Sequence, residues 1–166
     1  MDLCLRLASC LISGGPEGRA AASDISVTKT IPSDYAQARE VQRLIREEVA
    51  RAGFDPDSQF AIKLALEEAM INAIKHGNQL DPRKRVTVEW NVTPQTAEIS
   101  IEDEGPGFDR KSVPDPTHAS NIEKLTGRGI LLIESYMHKV EWAKQGRRLK
   151  LVRHNVAGLP NEARSA

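Results

Sequence analysis

LALEEAMINAIKHG, residues 64–77, is a helix-forming stretch with polar side chains at positions where a core helix would be apolar. Glu68, Asn72 and His76 follow Leu64 at four-residue intervals, and residues four apart lie one above the other on the same face of an α-helix. Polar groups turned toward a protein interior are costly unless a partner satisfies them. The stretch therefore predicts either the floor of a binding pocket or the polar edge of a solvated face. Other segments of the chain are needed to distinguish these two interpretations.

Length and charge balance limit the classes of function. A chain of 166 residues suits one compact domain with a sizeable core. Its 23 basic and 23 acidic residues cancel, so no overall field recruits nucleic acid or an anionic membrane. The two cysteines, Cys4 and Cys10, support neither a disulfide framework nor a thiolate metal site, and the four histidines show no metal-binding spacing. We expect a cytoplasmic protein that recognises its partners locally and does not bind nucleic acid directly.

Both ends of the chain have the composition of disordered tails. In residues 1–24, Arg6 interrupts a short apolar run, no basic segment precedes that run, and a stretch rich in glycine and alanine follows it. No stretch approaches the roughly 20 apolar residues that a membrane-spanning helix requires. We therefore expect a disordered tail over residues 1–24, a folded domain over 25–156, a second disordered tail over 157–166, and no membrane association.

Helical patterns occupy the first half of the folded domain. Apolar residues recur at helical spacing from Tyr35 until Gly53 ends the pattern, and Ser33 is the candidate N-cap. Asp55, followed by a proline, then marks the start of the central helix. We expect that helix to run to about His76.

Alternating apolar residues predict the strands. A short first strand over residues 25–31 is expected at a sheet edge, residues 86–92 and 97–101 form two further strands across a turn, and residues 140–152 form a closing hairpin. Asp103 is the next residue in the inward phase of the third strand. Either a carboxylate points toward the core there, or Asp103 is a turn residue that has left the sheet.

A long loop and a glycine-rich helix start separate the third strand from the hairpin. Residues 103–126 are rich in proline and polar residues and lack an apolar period, as is typical of lids and binding loops. Gly127, Arg128 and Gly129 lead into an apolar helix over residues 130–137, whose first N–H groups could bind an anion. The same glycines would equally suit a tight turn into the helix.

Three motifs in this chain resemble, in order, the nucleotide-binding boxes of GHKL-type ATPases. The motifs are Glu68-x-x-x-Asn72 on a helix, Asp103-x-Gly105-x-Gly107 at a strand end, and Gly127-x-Gly129 before a helix. With the order of the predicted elements around the motifs, the resemblance extends over residues 25–153. Within this superfamily, residues 68–77 and 129–137 resemble the corresponding segments of the bacterial anti-sigma factor serine/threonine kinases.

The resemblance implies a role for each box. Asp103 would accept a hydrogen bond from the adenine amino group of ATP, and Asn72 would hold Mg²⁺. Glu68 would be the general base toward a serine or threonine hydroxyl of a protein substrate. The other nucleotide-binding positions would be Lys75, Gly105, Gly107, Thr126, Gly127, Arg128 and Gly129.

The resemblance also implies the fold and the partners. The fold would be α+β, a two-layer α/β sandwich of the Bergerat type. Its mixed, mostly antiparallel sheet would carry three helices on one face and an ATP lid. A homodimeric kinase would bind a sigma factor in one state. In the other state it would bind and phosphorylate an anti-sigma factor antagonist of the STAS type.

Two alternatives differ from a protein kinase in what they require of the sequence. A non-catalytic ATP-binding regulatory module, which switches partners through nucleotide-dependent conformation, would need Asp103 and the glycines but not Glu68. The retained carboxylate therefore favours catalysis. A sensor histidine kinase would need a helical segment with a phosphoacceptor histidine, and the predicted helix between Ser33 and Ala52 contains no histidine.

Overall fold

The computed structural model describes residues 26–108 and 128–156, with only the backbone at Arg128. The two expected tails and loop residues 109–127 lie outside the described residues, so the predicted disorder and most of the predicted lid stay predictions. No helix within the described ranges is long and apolar enough to cross a membrane. The elements in chain order are β1 (Val27–Pro32), α1 (Tyr35–Arg51), α2 (Pro56–Ile71), a π-helical turn (Asn72–Gly77), β2 (Arg85–Val92), β3 (Thr96–Asp103), α3 (Arg128–Tyr136), β4 (Lys139–Ala143), a 3₁₀ turn (Lys144–Gly146) and β5 (Arg148–His154).

The strands form one sheet in the order β1-β2-β3-β5-β4. Buried residues face each other across it, with Val88 opposite Ile101 and Ile99 opposite Leu151, because alternate strand residues share one face. The large buried side chains between this face and the helices include Ile31, Ile45, Ile62, Leu66, Met70, Ile74 and Ile133. The predicted α+β fold is confirmed. We expected a mixed, mostly antiparallel sheet, and all four pairings in the described chain are antiparallel.

Helix α1 begins one residue later than its sequence indicates. We expected Ser33 as the N-cap, but the side chain of Asp34 accepts the hydrogen bond from Gln37 N at 2.9 Å. The N–H and the hydroxyl of Ser33 both donate to Lys84 O, at 3.0 and 3.1 Å. Those bonds extend the contact between β1 and β2 by one residue, so the cap falls on the next polar side chain.

Helix α2 lies at the centre of the helical layer, in contact with α1, α3 and β5. It begins as predicted, because Asp55 accepts from Ser58 N at 2.9 Å and Pro56 takes the first position, where no N–H is needed. Packing against three neighbours buries the helix on more than one side. Its buried side chains are Ser58, Ala61, Ile62, Ala65, Leu66, Ala69 and Met70.

The central helix does not continue as an α-helix to His76, as we expected. It gives way to the π-helical turn Asn72–Gly77, in which Asn78 N donates to Ala73 O at 2.8 Å, five residues back. The extra residue breaks the four-residue stripe of the sequence, and His76 is exposed. With this five-residue spacing, the residue that follows Asn72 on its face of the helix is Gly77 and not His76.

The chain closes with the expected hairpin. Strands β4 and β5 are antiparallel neighbours, with Val140 opposite Leu151. Gly146, in the turn between them, has a φ of 84°, which glycine adopts readily and other residues rarely do. The backbone therefore favours glycine at this position of the turn.

Candidate functional site

The π-helical turn and the end of β3 meet at a contact that only glycine permits. A Cβ atom on Gly77 would lie 2.5 and 2.6 Å from the two carboxylate oxygens of Asp103. A Cβ atom on Gly105 would lie 2.8 Å from Asp103 Oδ1 and closer still to the carbonyl oxygen of Gly77. The backbones of two glycines therefore enclose the carboxyl group of Asp103.

Asp103 combines the two roles that its sequence left open. It is the last residue of β3, and its N–H donates to Arg147 O at 3.0 Å, so it still belongs to the sheet. Its Oδ1 accepts from Gly105 N at 2.8 Å, the bond expected of an aspartate that starts a turn. Burial raises the pKa of this half-buried carboxyl, and the Gly105 N–H and the charges of Arg147 and Lys84 oppose that effect more weakly. The site thus contains a carboxyl group whose burial is only partly offset by a hydrogen bond and by nearby positive charges.

Glu68 and Asn72 lie one helical turn apart at the end of α2. The N–H of Asn72 donates to Glu68 O, so this step keeps α-helical geometry. A Cβ atom on Gly129 would lie 2.7 Å from Glu68 Cγ and nearer still to its carboxylate. The absence of a side chain at Gly129 therefore lets Glu68 pack against the first turn of α3.

The side-chain amide of Asn72 has an unmet hydrogen-bonding need. Its Nδ2 is buried and has no hydrogen-bond partner within residues 26–108 and 128–156. Leaving such a group unpaired costs about 1–3 kcal/mol, and a flip exchanges the nitrogen and oxygen of an amide. Asn72 can therefore offer a donor to a phosphate oxygen or an acceptor to a cation. With the carboxylate of Glu68 one turn away, this donor set fits a nucleotide phosphate with Mg²⁺.

Other positions assigned by the resemblance lie apart from this group. Lys75 is exposed on the π-helical turn. Gly107, with a φ of 80°, packs against the turn between β4 and β5, where Phe108 N donates to Gln145 O at 3.0 Å. Positions outside the described part of the chain are Thr126, Gly127 and the side chain of Arg128.

Sequence reasoning missed Asn78. No motif assigned it a role, yet its side chain is fully buried and its amide makes three hydrogen bonds. The partners come from three separate segments of the chain. No spacing rule reveals such a residue, because its role depends on the tertiary fold.

With this geometry in place, the family is defined by comparison with known proteins. A family model described as the histidine kinase-like ATPase domain matches residues 31–153. The chain belongs to this family of ATP-using domains. The resemblance to GHKL-type ATPases, drawn from the three motifs, is confirmed.

Two individual relatives show which members of this family the chain is similar to. The serine-protein kinase RsbW of Listeria innocua is 30% identical over 98 residues, which are 55% of this chain and 62% of that protein. The anti-sigma F factor of Oceanobacillus iheyensis is 33% identical over 113 residues, which are 64% of this chain and 77% of that protein. This chain thus spans a little under two thirds of the Listeria relative and about three quarters of the other.

A solved structure supports the fold. The crystal structure of the RsbU and RsbW domains of Rv1364c from Mycobacterium tuberculosis matches with a TM-score of 0.53 at 17% identity. The match covers 79% of this chain and 32% of that one.

Proposed function

We propose that this protein is an ATP-dependent serine/threonine protein kinase that acts as an anti-sigma factor. The observation that carries the proposal is the position of Glu68, one turn before Asn72 and packed against Gly129 at the start of α3. A module that only binds ATP needs an acceptor for adenine and glycines that admit the nucleotide. A second carboxylate at the other end of the site is what a phosphoryl transfer to a hydroxyl needs.

Asp103 is the proposed acceptor for the adenine amino group. One of its oxygens accepts from Gly105 N, and an ionised carboxylate has further lone pairs available. The enclosing glycines, Gly77 and Gly105, let their backbones pack against this carboxyl group and so hold it at the end of β3. These features support adenine binding at the end of β3.

Asn72 and the start of α3 are the proposed phosphate end of the site. The side-chain amide of Asn72, whose Nδ2 has no partner within residues 26–108 and 128–156, would hold Mg²⁺, and Mg²⁺ would neutralise part of the phosphate charge. The first N–H groups of α3, around Gly129, suit phosphate oxygens, as helix N-termini generally do. By the family resemblance, the further nucleotide contacts are proposed to be Lys75, Gly107, Thr126, Gly127 and Arg128.

Glu68 is the proposed general base. Its carboxylate would orient a serine or threonine hydroxyl of the protein substrate and take its proton as the oxygen attacks the γ-phosphorus of ATP. The phosphoryl group would pass to that oxygen, and ADP would leave. Each of these roles requires Glu68 to lie near the phosphates, as its contact with α3 supports.

The partners belong to the same proposal. The names of the relatives support a sigma factor as one partner and a protein substrate as the other, and we propose a STAS-type anti-sigma factor antagonist as that substrate. We further propose that residues 25–156 form the kinase domain, that the kinase is a homodimer, and that it works in the cytoplasm.

The test is transfer of label from γ-³²P-ATP to each candidate antagonist of the same genome. We expect Mg²⁺-dependent labelling of one antagonist on a serine or threonine. Asn72→Ala should weaken both Mg²⁺-dependent ATP binding and labelling, because it removes the amide, whereas Ser135→Ala on the exposed side of α3 should change neither. ATP binding with no labelling of any antagonist would contradict the kinase and favour the non-catalytic module.

A further inference from the structure

A buried asparagine next to the adenine end of the site joins four segments of the chain. Asn78 follows the π-helical turn, and its Nδ2 donates to Ser33 Oγ at 2.7 Å and to Arg85 O at 2.8 Å. Its Oδ1 accepts from Glu104 N at 2.8 Å. The start of α1, the start of β2 and the residue after β3 thus meet on one fully buried amide.

The bonds leave only one orientation for this amide. Both N–H groups of Nδ2 and the oxygen are used, and a flip would turn the nitrogen toward the N–H of Glu104 and the oxygen toward the carbonyl of Arg85. Ser33 is fixed as well, since its hydroxyl donates to Lys84 O at 3.1 Å while it accepts from Asn78. A network with every member satisfied is rigid.

The network lies directly beside the contact that encloses Asp103. Gly77 packs against Asp103. The residues that follow them in sequence, Asn78 and Glu104, are joined by the hydrogen bond from Glu104 N to Asn78 Oδ1. A second hydrogen bond holds Glu104 in place, because its carboxylate accepts from Arg85 N at 2.8 Å. Residues 77–78 and 103–104 are therefore held in a fixed register.

We propose that Asn78 is a positioning residue that fixes Asp103 for recognition of the adenine base. The inference rests on the nucleotide site proposed above and adds to it the residue that sets base selectivity. Asn78 is fully buried and its side-chain polar atoms are already bonded, so it offers no contact to a nucleotide. It acts by holding the backbone on both sides of the Asp103 carboxylate, so its loss should reduce the preference for ATP over GTP and not only the stability.

The chain offers a matched control in Asn155. Asn155 is also buried, and its Nδ2 likewise makes two hydrogen bonds, to the carbonyl oxygens of Gly53 and Pro94 at 3.2 and 2.9 Å. It lies beside the β2–β3 turn, at the end of β3 opposite Asp103, about 23 Å away along an eight-residue strand. A substitution of Asn155 should lower the stability of the protein without changing recognition of the adenine base.

The experiment compares Asn78→Asp and Asn155→Asp in the full chain, with calorimetric binding of Mg-ATP and Mg-GTP below the melting temperature of each. Both variants keep the side-chain size. Each replaces a donor by an acceptor that faces a backbone carbonyl, that of Arg85 at position 78 and those of Gly53 and Pro94 at position 155, so both should melt at lower temperature. We expect Asn78→Asp to lose about tenfold in ATP affinity, the effect of one lost buried polar contact, and to lose selectivity over GTP. Asn155→Asp should keep both.

Equal ATP affinity and selectivity in the parent and in Asn78→Asp would overturn the proposal while leaving the ATP site intact. If the parent chain did not bind ATP, the proposed function and this inference would both fall.

A second measurement needs no variant. Amide hydrogen exchange of the nucleotide-free parent should show Glu104 N–H protected, because a buried amide accepts its hydrogen. Exchange at the rate of an open loop would overturn the proposal even if Asn78→Asp failed to fold.

Discussion

At the scale of single residues, Asp103 illustrates a conflict between stability and binding. Its carboxyl is enclosed by two glycines at the end of β3, and burial is the largest influence on its pKa, which is raised. A folded-state pKa above the unfolded value means that the folded protein binds the proton more tightly. The stability from this group is therefore present below the unfolded pKa and is lost as the pH rises through the folded one.

Asp103→Asn should therefore separate binding from stability. The amide cannot ionise but can still accept from Gly105 N, so at about pH 7 the free variant should be at least as stable as the parent. Its advantage should shrink as the pH falls to about 4, near the ordinary aspartate pKa, where the parent carboxyl becomes protonated. ATP affinity should fall, because a carboxylate acceptor is lost. Urea unfolding at both pH values and calorimetry measure these effects, and unchanged ATP affinity would remove Asp103 from the site.

At the scale of elements, the π-helical turn determines what meets Asp103. The α-helical step from Glu68 to Asn72 keeps those two residues together, and the wider turn that follows leaves His76 exposed and sets Gly77 against the carboxylate. π-helical turns frequently occur at functional sites. Here the turn converts the end of a core helix into one wall of the adenine end of the site.

Gly77→Ala tests this role. Alanine favours a helix over glycine by up to about 1 kcal/mol, whereas overpacking a filled site costs about 1–3 kcal/mol. Asp103 cannot retreat freely, because Gly105 N holds its Oδ1, so the clash should prevail and the variant should lose about 1 kcal/mol of unfolding free energy, together with ATP affinity. The exposed His76→Ala should stay within about 0.5 kcal/mol of the parent. A stabilised Gly77→Ala with normal ATP binding would contradict the contact.

The element scale also shows what the sequence can predict. The β2–β3 pair, the closing hairpin and the Asp55 cap follow from local rules of alternation, glycine turns and capping, and they were predicted correctly. The π-helical turn and the shift of the α1 cap to Asp34 were not, because each lies where the chain meets a residue distant in sequence, Asp103 for the turn and Lys84 for the cap. Local patterns carry no signal for such contacts.

At the scale of the whole molecule, the site joins parts of the chain that are far apart in sequence. The motifs predicted that Asp103 and the end of the central helix bind the same nucleotide, because their order resembles that of a known family. They could not show that Asn78 holds this junction together, since that role exists only once Ser33, Arg85 and Glu104 converge on its amide. Family resemblance conveys the chemistry of a site more readily than the residues that support it.

Shortening the chain to residues 25–156 should leave the fold intact. The sheet and the helices of the described ranges bury their apolar faces against each other, and the two terminal segments have the composition of tails. We expect the same urea midpoint and the same ATP affinity as in the full chain. A melting temperature many degrees lower would show that a terminal segment belongs to the folded unit.

The claim that the protein is an enzyme depends on Glu68, and one comparison tests it most directly. Glu68→Gln keeps the shape and removes the base, so ATP affinity should change little, while the rate of phosphoryl transfer to the antagonist should fall by roughly 10²–10⁴. The neighbouring Glu67 is exposed, and Glu67→Gln is the matched control that should keep both properties. Transfer by Glu68→Gln at the parent rate would contradict the proposed catalytic role.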